Sequence, residues 1–148
     1  MDLFCFASRN SENIRRGYAA GKWAVAMVSQ PAMRGRITKA RKYFAAGSHG
    51  LLYCRPTHSF TVPFVAASAA DQNGVVTDIW PVFTIEPLGS PERQLHAGEA
   101  VIRWPFLKQR MGHGGVTAAL NATGATAFVP VPIEPDDWKL ILRDLADK

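Results

Sequence analysis

Acidic residues are scarce in the first third of this chain. Residues 1–55 hold only Asp2 and Glu12 against ten lysines and arginines, a local balance of +8, whereas the remainder carries seven bases against ten acids, or −3. Cysteine is nearly absent as well. Cys5 and Cys54 are the only two, too few for a disulfide framework, and both stand in apolar, strand-like runs where a buried free thiol is the expected state. No apolar run approaches the roughly 18 uncharged residues of a membrane span, and the Met1-Asp2 start lacks the basic opening of a secretory signal. A protein with no membrane role, located in the cytoplasm, is therefore expected. Neither a GxGxxG nor a GxxxxGK[ST] phosphate loop occurs, so nucleotide-cofactor chemistry has no support and no cofactor is expected. Low-complexity tracts and internal repeats are missing too. With 148 residues, 47% of them hydrophobic and 20% charged, the chain has the size and composition of one folded domain spanning 1–148, with a core burying roughly 70% of the unfolded surface.

What is present begins with the charge. Basic residues concentrated in one part of a small domain are the electrostatic footprint of a polyanion partner, and the cluster Arg34, Arg36, Lys39, Arg41 and Lys42 is its densest part. A solvated basic face with no partner is the plainer alternative, because clustering in sequence need not be clustering in space.

Hydrophobic patterning predicts short elements throughout. Leu3 to Ala7 reads as a strand and Ser11 as the N-cap of a helix through about Tyr18 that stops between Gly17 and Gly21. Trp23 to Val28 reads as a second strand. Thr38 can cap a short helix from Lys39 to Phe44, ended by Gly47. Leu51 to Cys54 looks like a buried strand, and Ser59 to Ser68 a longer one, bent at Pro63. Asn73-Gly74 suits a tight reversal, after which the chain extends from Val75 to Ile85 and closes over Pro87 to Pro91. Residues 98–110 are predicted to be partly helical, with Pro105 starting or kinking a turn. The Gly112-His113-Gly114-Gly115 run is permissive backbone, Val116 to Asn121 a short helix, and Ala125 to Val131 a strand. At the end, Pro135 at a first helical position and the acids Asp136 and Asp137 begin a helix whose Trp138, Ile141, Leu142 and Leu145 share one face. This is a docking helix anchored by Trp138. Six or so strands interleaved with short helices predict an α+β domain with a strongly curved or closed mixed β-barrel rather than a doubly wound parallel sheet.

The opening segment carries the most chemistry. A strand, the polar run Ser8-Arg9-Asn10-Ser11-Glu12-Asn13, a short helix and Trp23 at the next strand's start can place hydrogen-bonding side chains and a stacking ring around one small planar ligand. Phe6-Ala7-Ser8-x2-Ser11-Glu12-Asn13 followed by Gly21-Lys22-Trp23-Ala24 resembles the opening of YTH and EVE domains, members of the PUA-like superfamily. The likeness continues through Leu51 to Cys54, Phe60 to Ser68, the Ile79-Trp80-Pro81-Val82-Phe83 stretch as far as Gly89, and the closing Pro135-x2-Trp138-Lys139-Leu140-Ile141, which is similar to the last helix of EVE proteins. The resemblance implies a non-enzymatic reader that takes up an extruded modified base: a methylated or hydroxymethylated cytosine in DNA, or a methylated base in RNA. It further implies Trp23 and Trp80 as aromatic walls, Ser8, Asn10 and the Asn13 amide as readers of the base edge, and Arg34 to Lys42 as phosphate contacts. Phe83 reads as core. Where some relatives carry a further Trp, this chain has Met111, a soft apolar surface that can lie against a ring. Proteins of this kind also occur with a separate nuclease or motor protein as partner.

Two other readings stand beside this one. A metal or covalent-catalytic site could draw on His49, Cys54, His58, His96 or His113. The Cys54-x3-His58 spacing lacks the second pair that a zinc site needs, and a thiol inside an apolar strand tends to be inert. The remaining reading is a PUA-like module that binds structured RNA through shape and phosphate contacts, with no base pocket.

Overall fold

The computed structural model describes residues 1–26, 38–70, 79–112, 115–122 and 127–147, with the side chains of 25–26 and 79–81 outside that description. Strand β1 (Asp2–Ser8) leads into α1 (Ser11–Ala20), then β2 (Lys22–Ala26), a short helix α2 at 38–43, β3 (His49–Cys54), β4 (Ser59–Ala66) and β5 (Ile79–Pro87). The second half adds β6 (Gln94–His96), α3 (Ala97–Arg103), α4 (Pro105–Arg110), α5 (Gly115–Ala119), β7 (Val131–Pro132) and α6 (Pro135–Leu145).

These strands form one mixed, seven-stranded sheet in the order β2-β5-β4-β3-β1-β7, with β6 paired to β4. Among the described strands only β1 and β3 run parallel, Leu3 opposite His49 through Ser8 opposite Cys54. The expectation of an α+β domain holds, but among the described residues the sheet does not close into a barrel. At one edge β7 pairs Val131 and Pro132 with β1, the pairing is extended by reciprocal hydrogen bonds between Ile133 and Met1, and Pro132 has no N–H to offer a further strand. At the other edge β2 pairs with β5 alone among the described strands. The strand expected from Ala125 to Val131 is accordingly reduced to its last residue plus Pro132, with 123–126 outside the described residues.

The bend expected at Pro63 is present and has a local cause. Val62 adopts φ +45°, a region costly for a β-branched side chain, and the pairing of β4 changes partner there. Residues Ser59 to Thr61 pair with β6 and Phe64 to Ala66 with β5. Sequence reading missed β6 because three residues carry no readable alternation.

Both faces of the sheet are covered, which is why β1 and β3 read as continuous apolar runs. Leu3, Cys5, Leu51 and Tyr53 join one cluster with Trp104, Leu107, Leu120, Trp138, Ile141 and Leu145. Phe4, Phe6, Leu52 and Cys54 point the other way, into a cluster with Ile14, Trp23, Phe44, Phe64, Phe83 and Phe128. That second face is built largely from phenylalanine rings, such as Phe44 against Phe83 with centroids 4.5 Å apart.

On the first face α6 is the expected docking helix, begun by Pro135 and by the Asp137 carboxylate, which accepts from the Glu134 N–H at 2.8 Å. Trp138 is buried and meets the His49 ring edge-on, with centroids 5.0 Å apart. Burial, and after it the charge of the N-terminal ammonium, lowers the His49 pKa. Both cysteines are buried and free. They lie on opposite faces of the sheet, and burial pushes the Cys5 thiol far above its ordinary range.

Candidate functional site

The junction between β1 and α1 is organised by short-range hydrogen bonds. The Ser8 hydroxyl donates to the Asn10 carbonyl at 2.7 Å and accepts from the Asn10 N–H at 3.4 Å. Asn10 is extended and caps α1, its side-chain oxygen accepting from the Asn13 N–H at 2.8 Å. The expected cap, Ser11, is instead the first helical residue, because Asn10 supplies the same side-chain acceptor one position earlier. These bonds divide the three polar residues into two kinds. Ser8 is buried with its hydrogen already donated inside the turn, so it is a turn former. Asn13 is exposed, and its side-chain amide has no partner among the described residues.

Helix α1 ends at Gly21, whose φ of +63° lets its N–H return to the carbonyls of Gly17 and Tyr18. The chain then enters β2, where Trp23 lies opposite Phe83 of β5. The indole packs directly under α1: a Cβ at Gly17 would come within 2.7 Å of Trp23 Cε3 and 2.8 Å of the Lys22 carbonyl oxygen. Glycine at 17 is what allows the helix to lie on the ring. Trp23 is only 8% exposed, so the wall is built but nearly closed.

Helix α2 is fastened to this same face by Ala40 and by Phe44 just beyond its end, both buried among the phenylalanines. Lys39 is half-buried, and Arg41, Lys42 and Tyr43 are exposed. Lys42 Nζ stands 5.1 Å from the centroid of the Tyr43 ring. None of these three cations is paired with an acid among the described residues. Arg34 and Arg36 lie outside the described residues.

Ile14 of α1, Trp23 of β2 and Ala40 of α2 share one buried cluster, so the helix that follows the polar turn and the helix that carries Lys39, Arg41 and Lys42 both pack on the Trp23 face of the sheet. Trp80 lies in β5, the strand that pairs with β2, but its side chain falls outside the described residues. Met111 is not brought to the site. It caps α4, its N–H bonding the carbonyls of Leu107 and Lys108, and it packs half-buried on the opposite face of the sheet from Trp23. Met111 is expected as a third wall, but α4 covers the first face of the sheet while Trp23 belongs to the second, so Met111 does not stand beside that ring. Phe83 is core, as expected.

Each of the described histidines has its own local setting. His96 caps α3, its Nδ1 accepting from the Gly98 N–H at 3.0 Å. His58 Nδ1 lies 3.4 Å from the Tyr53 hydroxyl, and Cys54 is fully buried on the other face from Tyr53. His113 lies outside the described residues. Among the described residues, no three His, Cys, Asp or Glu side chains converge on a point that could hold a metal, and no helix is long and apolar enough to cross a membrane.

An open mixed sheet with phenylalanines on one face, α1 over the first wall and a terminal docking helix on the other face defines a YTH-like α+β fold. The YTH domain of the Zygosaccharomyces rouxii MRB1 protein, solved in complex with N6-methyladenosine RNA, superposes with a TM-score of 0.58 at 16% identity, covering 96% of this chain and 84% of that one. The Pho92 YTH domain in complex with m6A gives 0.58 at 13% identity, over 96% and 81%. An mmi1 YTH-domain protein in complex with RNA gives 0.51 at 12% identity, over 73% of this chain and 66% of that one, so the chain spans just under two thirds of that neighbour. No family model and no curated protein matches the sequence. The expected YTH likeness is therefore supported at the level of the fold, whereas no family model and no curated relative stands behind the EVE likeness.

Proposed function

We propose that this chain is a non-enzymatic reader of single-stranded nucleic acid carrying a modified base. The observation that carries the reading is the coincidence of a fold shared with YTH domains solved around N6-methyladenosine and a tryptophan, a free Asn13 amide and a basic helix on one face of that fold. Methylated RNA is favoured over modified cytosine in DNA, because the neighbours bound to a modified nucleotide hold m6A. In this reading the extruded base lies against Trp23, Trp80 supplies the second wall, Asn13 reads the base edge with Asn10 beside it, and Lys39, Arg41 and Lys42, with Arg34 and Arg36, hold phosphates.

The energetics are sufficient. Unstacking a base costs a few kcal/mol, and an aromatic wall returns about 1–3 kcal/mol. Desolvating the methyl adds about 0.8 kcal/mol, roughly a fourfold preference over the unmodified base. Trp23 must become more exposed to receive a ring, so uptake involves a small displacement of its cover.

The test is fluorescence anisotropy on matched oligonucleotides: RNA with and without N6-methyladenosine, and DNA with and without methyl- or hydroxymethylcytosine. A preference of fourfold or more for one modified strand, lost in Trp23→Ala with the fold intact, supports the reading. Equal affinity across every pair sinks it. The low exposure of Trp23 and the committed Ser8 hydroxyl favour a second reading, RNA binding through shape and phosphates alone. There, removing Lys39, Arg41 and Lys42 weakens all sequences alike and flattens the salt dependence.

A further inference from the structure

Tyr43 has no role in the base site described above, yet it is the one phenylalanine, tyrosine or tryptophan among the described residues that stands out into solvent, at 42% exposure. Its neighbours are cations. Successive helical residues are turned by about 100°, so Lys39, Lys42 and Tyr43 share one stripe of α2 while Ala40 and Phe44 occupy the buried side and Arg41 the far flank. Lys42 Nζ, 5.1 Å from the ring centroid, lies over one face of the tyrosine, and the hydroxyl has no hydrogen-bond partner among the described residues. A tyrosine that served packing alone would be buried with its hydroxyl paired. This ring is instead held out on a rigid base: Phe44, next in sequence, packs 4.5 Å from Phe83, which is the cross-strand partner of Trp23.

We propose that Tyr43, flanked by Lys39 and Lys42, is a second stacking platform for single-stranded nucleic acid. It takes a nucleotide that flanks the modified one, and in that respect it rests on the reader function proposed above. The base lies on the ring face that Lys42 leaves open, and the two lysines meet its phosphates. Stacking on a ring is indifferent to sequence and modification, so this platform supplies affinity while the Trp23 site supplies discrimination.

The test uses the full chain and single-stranded RNA of about nine nucleotides, with or without a central N6-methyladenosine, titrated by anisotropy across a salt series. Tyr43→Ala and Tyr43→Leu are expected to weaken both RNAs equally, by about 5- to 100-fold, with the slope of log affinity against log salt unchanged. Tyr43→Phe keeps the ring and stays within about twofold of the parent. Lys39→Ala and Lys42→Ala each lower the slope by about 0.7. A loss below fivefold in both Ala and Leu variants, an equal loss in Tyr43→Phe, or a changed salt slope on removing the ring overturns the platform. If the parent binds both RNAs equally, the methylated-RNA form of the reader reading falls and the platform is judged on the unmodified strand. If it binds neither, the platform falls with it.

Discussion

Asp144 fastens the terminal helix to the rest of the first face, and removing it should expose how much that fastening contributes. Its carboxylate accepts from Trp104 Nε1 at 2.9 Å and from Arg103 Nη2 at 2.6 Å, with Arg143 also in contact. The side chain is 5% exposed, and Trp104 is wholly buried. Asp144→Ala therefore strands a buried indole N–H, at about 1–3 kcal/mol, and loses a hydrogen bond to a charged group. The ion pair itself adds little, since Arg103 reaches into solvent. The sum is about 2–4 kcal/mol, which for a chain of this length lowers Tm by roughly 5–15 °C in a circular-dichroism melt. The pH dependence has a definite sign. Burial pushes the Asp144 pKa up, but hydrogen bonds from Arg103, Arg143 and Trp104 and the charge of Arg143 outweigh it and hold the carboxyl well below the ordinary range. A carboxylate depressed in the folded state stabilises fully above its unfolded value near 4 and loses that contribution as pH falls toward the folded value. The gap between parent and Asp144→Asn in urea unfolding should thus be constant from about pH 7 to 5 and shrink below about pH 4. A loss under about 1 kcal/mol in Asp144→Ala, or a gap that stays constant down to about pH 3, would refute the reasoning.

Other perturbations have equally direct readouts. Gly17→Ala should cost about 1–3 kcal/mol by overpacking against Trp23 and the Lys22 carbonyl, despite the better helix propensity of alanine, and shift tryptophan fluorescence. Asn10→Ala should lose about 1 kcal/mol of stability with its cap in a thermal melt, while Asn10→Asp keeps it. Asn13→Ala should leave Tm unchanged while reducing any preference between modified and unmodified strands, because only its backbone N–H is used within the fold. A thiol reagent should label neither cysteine in the native state and both after unfolding, since each is buried and burial holds the Cys5 thiol protonated.

Local chemistry made much of this fold readable. The C-terminal helix was legible because Pro135, two acids in the first turn and an apolar stripe agree with one another, and α1 because Gly21 has an obvious stopping role. The continuous apolar runs of β1 and β3 announced strands but not their pairing, and nothing in a run of four buried residues says that β1 lies parallel to β3. Barrel closure was misjudged for a related reason. Whether β2 and β7 at the two edges meet depends on the order of all the strands between them, which contacts far apart along the chain decide. Ser8 and Asn13 looked equivalent on paper; hydrogen bonding in the turn separated them, committing one hydroxyl and leaving one amide free. Trp104 gave no signal at all, since a tryptophan before a proline has no periodic partner to mark it as the centre of a core.

The sequence by itself determined the short elements, the basic first third and the placement of polar residues and a tryptophan on either side of one helix, because these follow from neighbours a few positions apart. Tertiary structure decided which of those residues share a face. It set Trp23, Asn13 and the basic helix on one side of the sheet and Met111 on the other, because in a two-faced sheet a side chain's surroundings depend on strand register and on what covers each face, and both are fixed by contacts far apart along the chain.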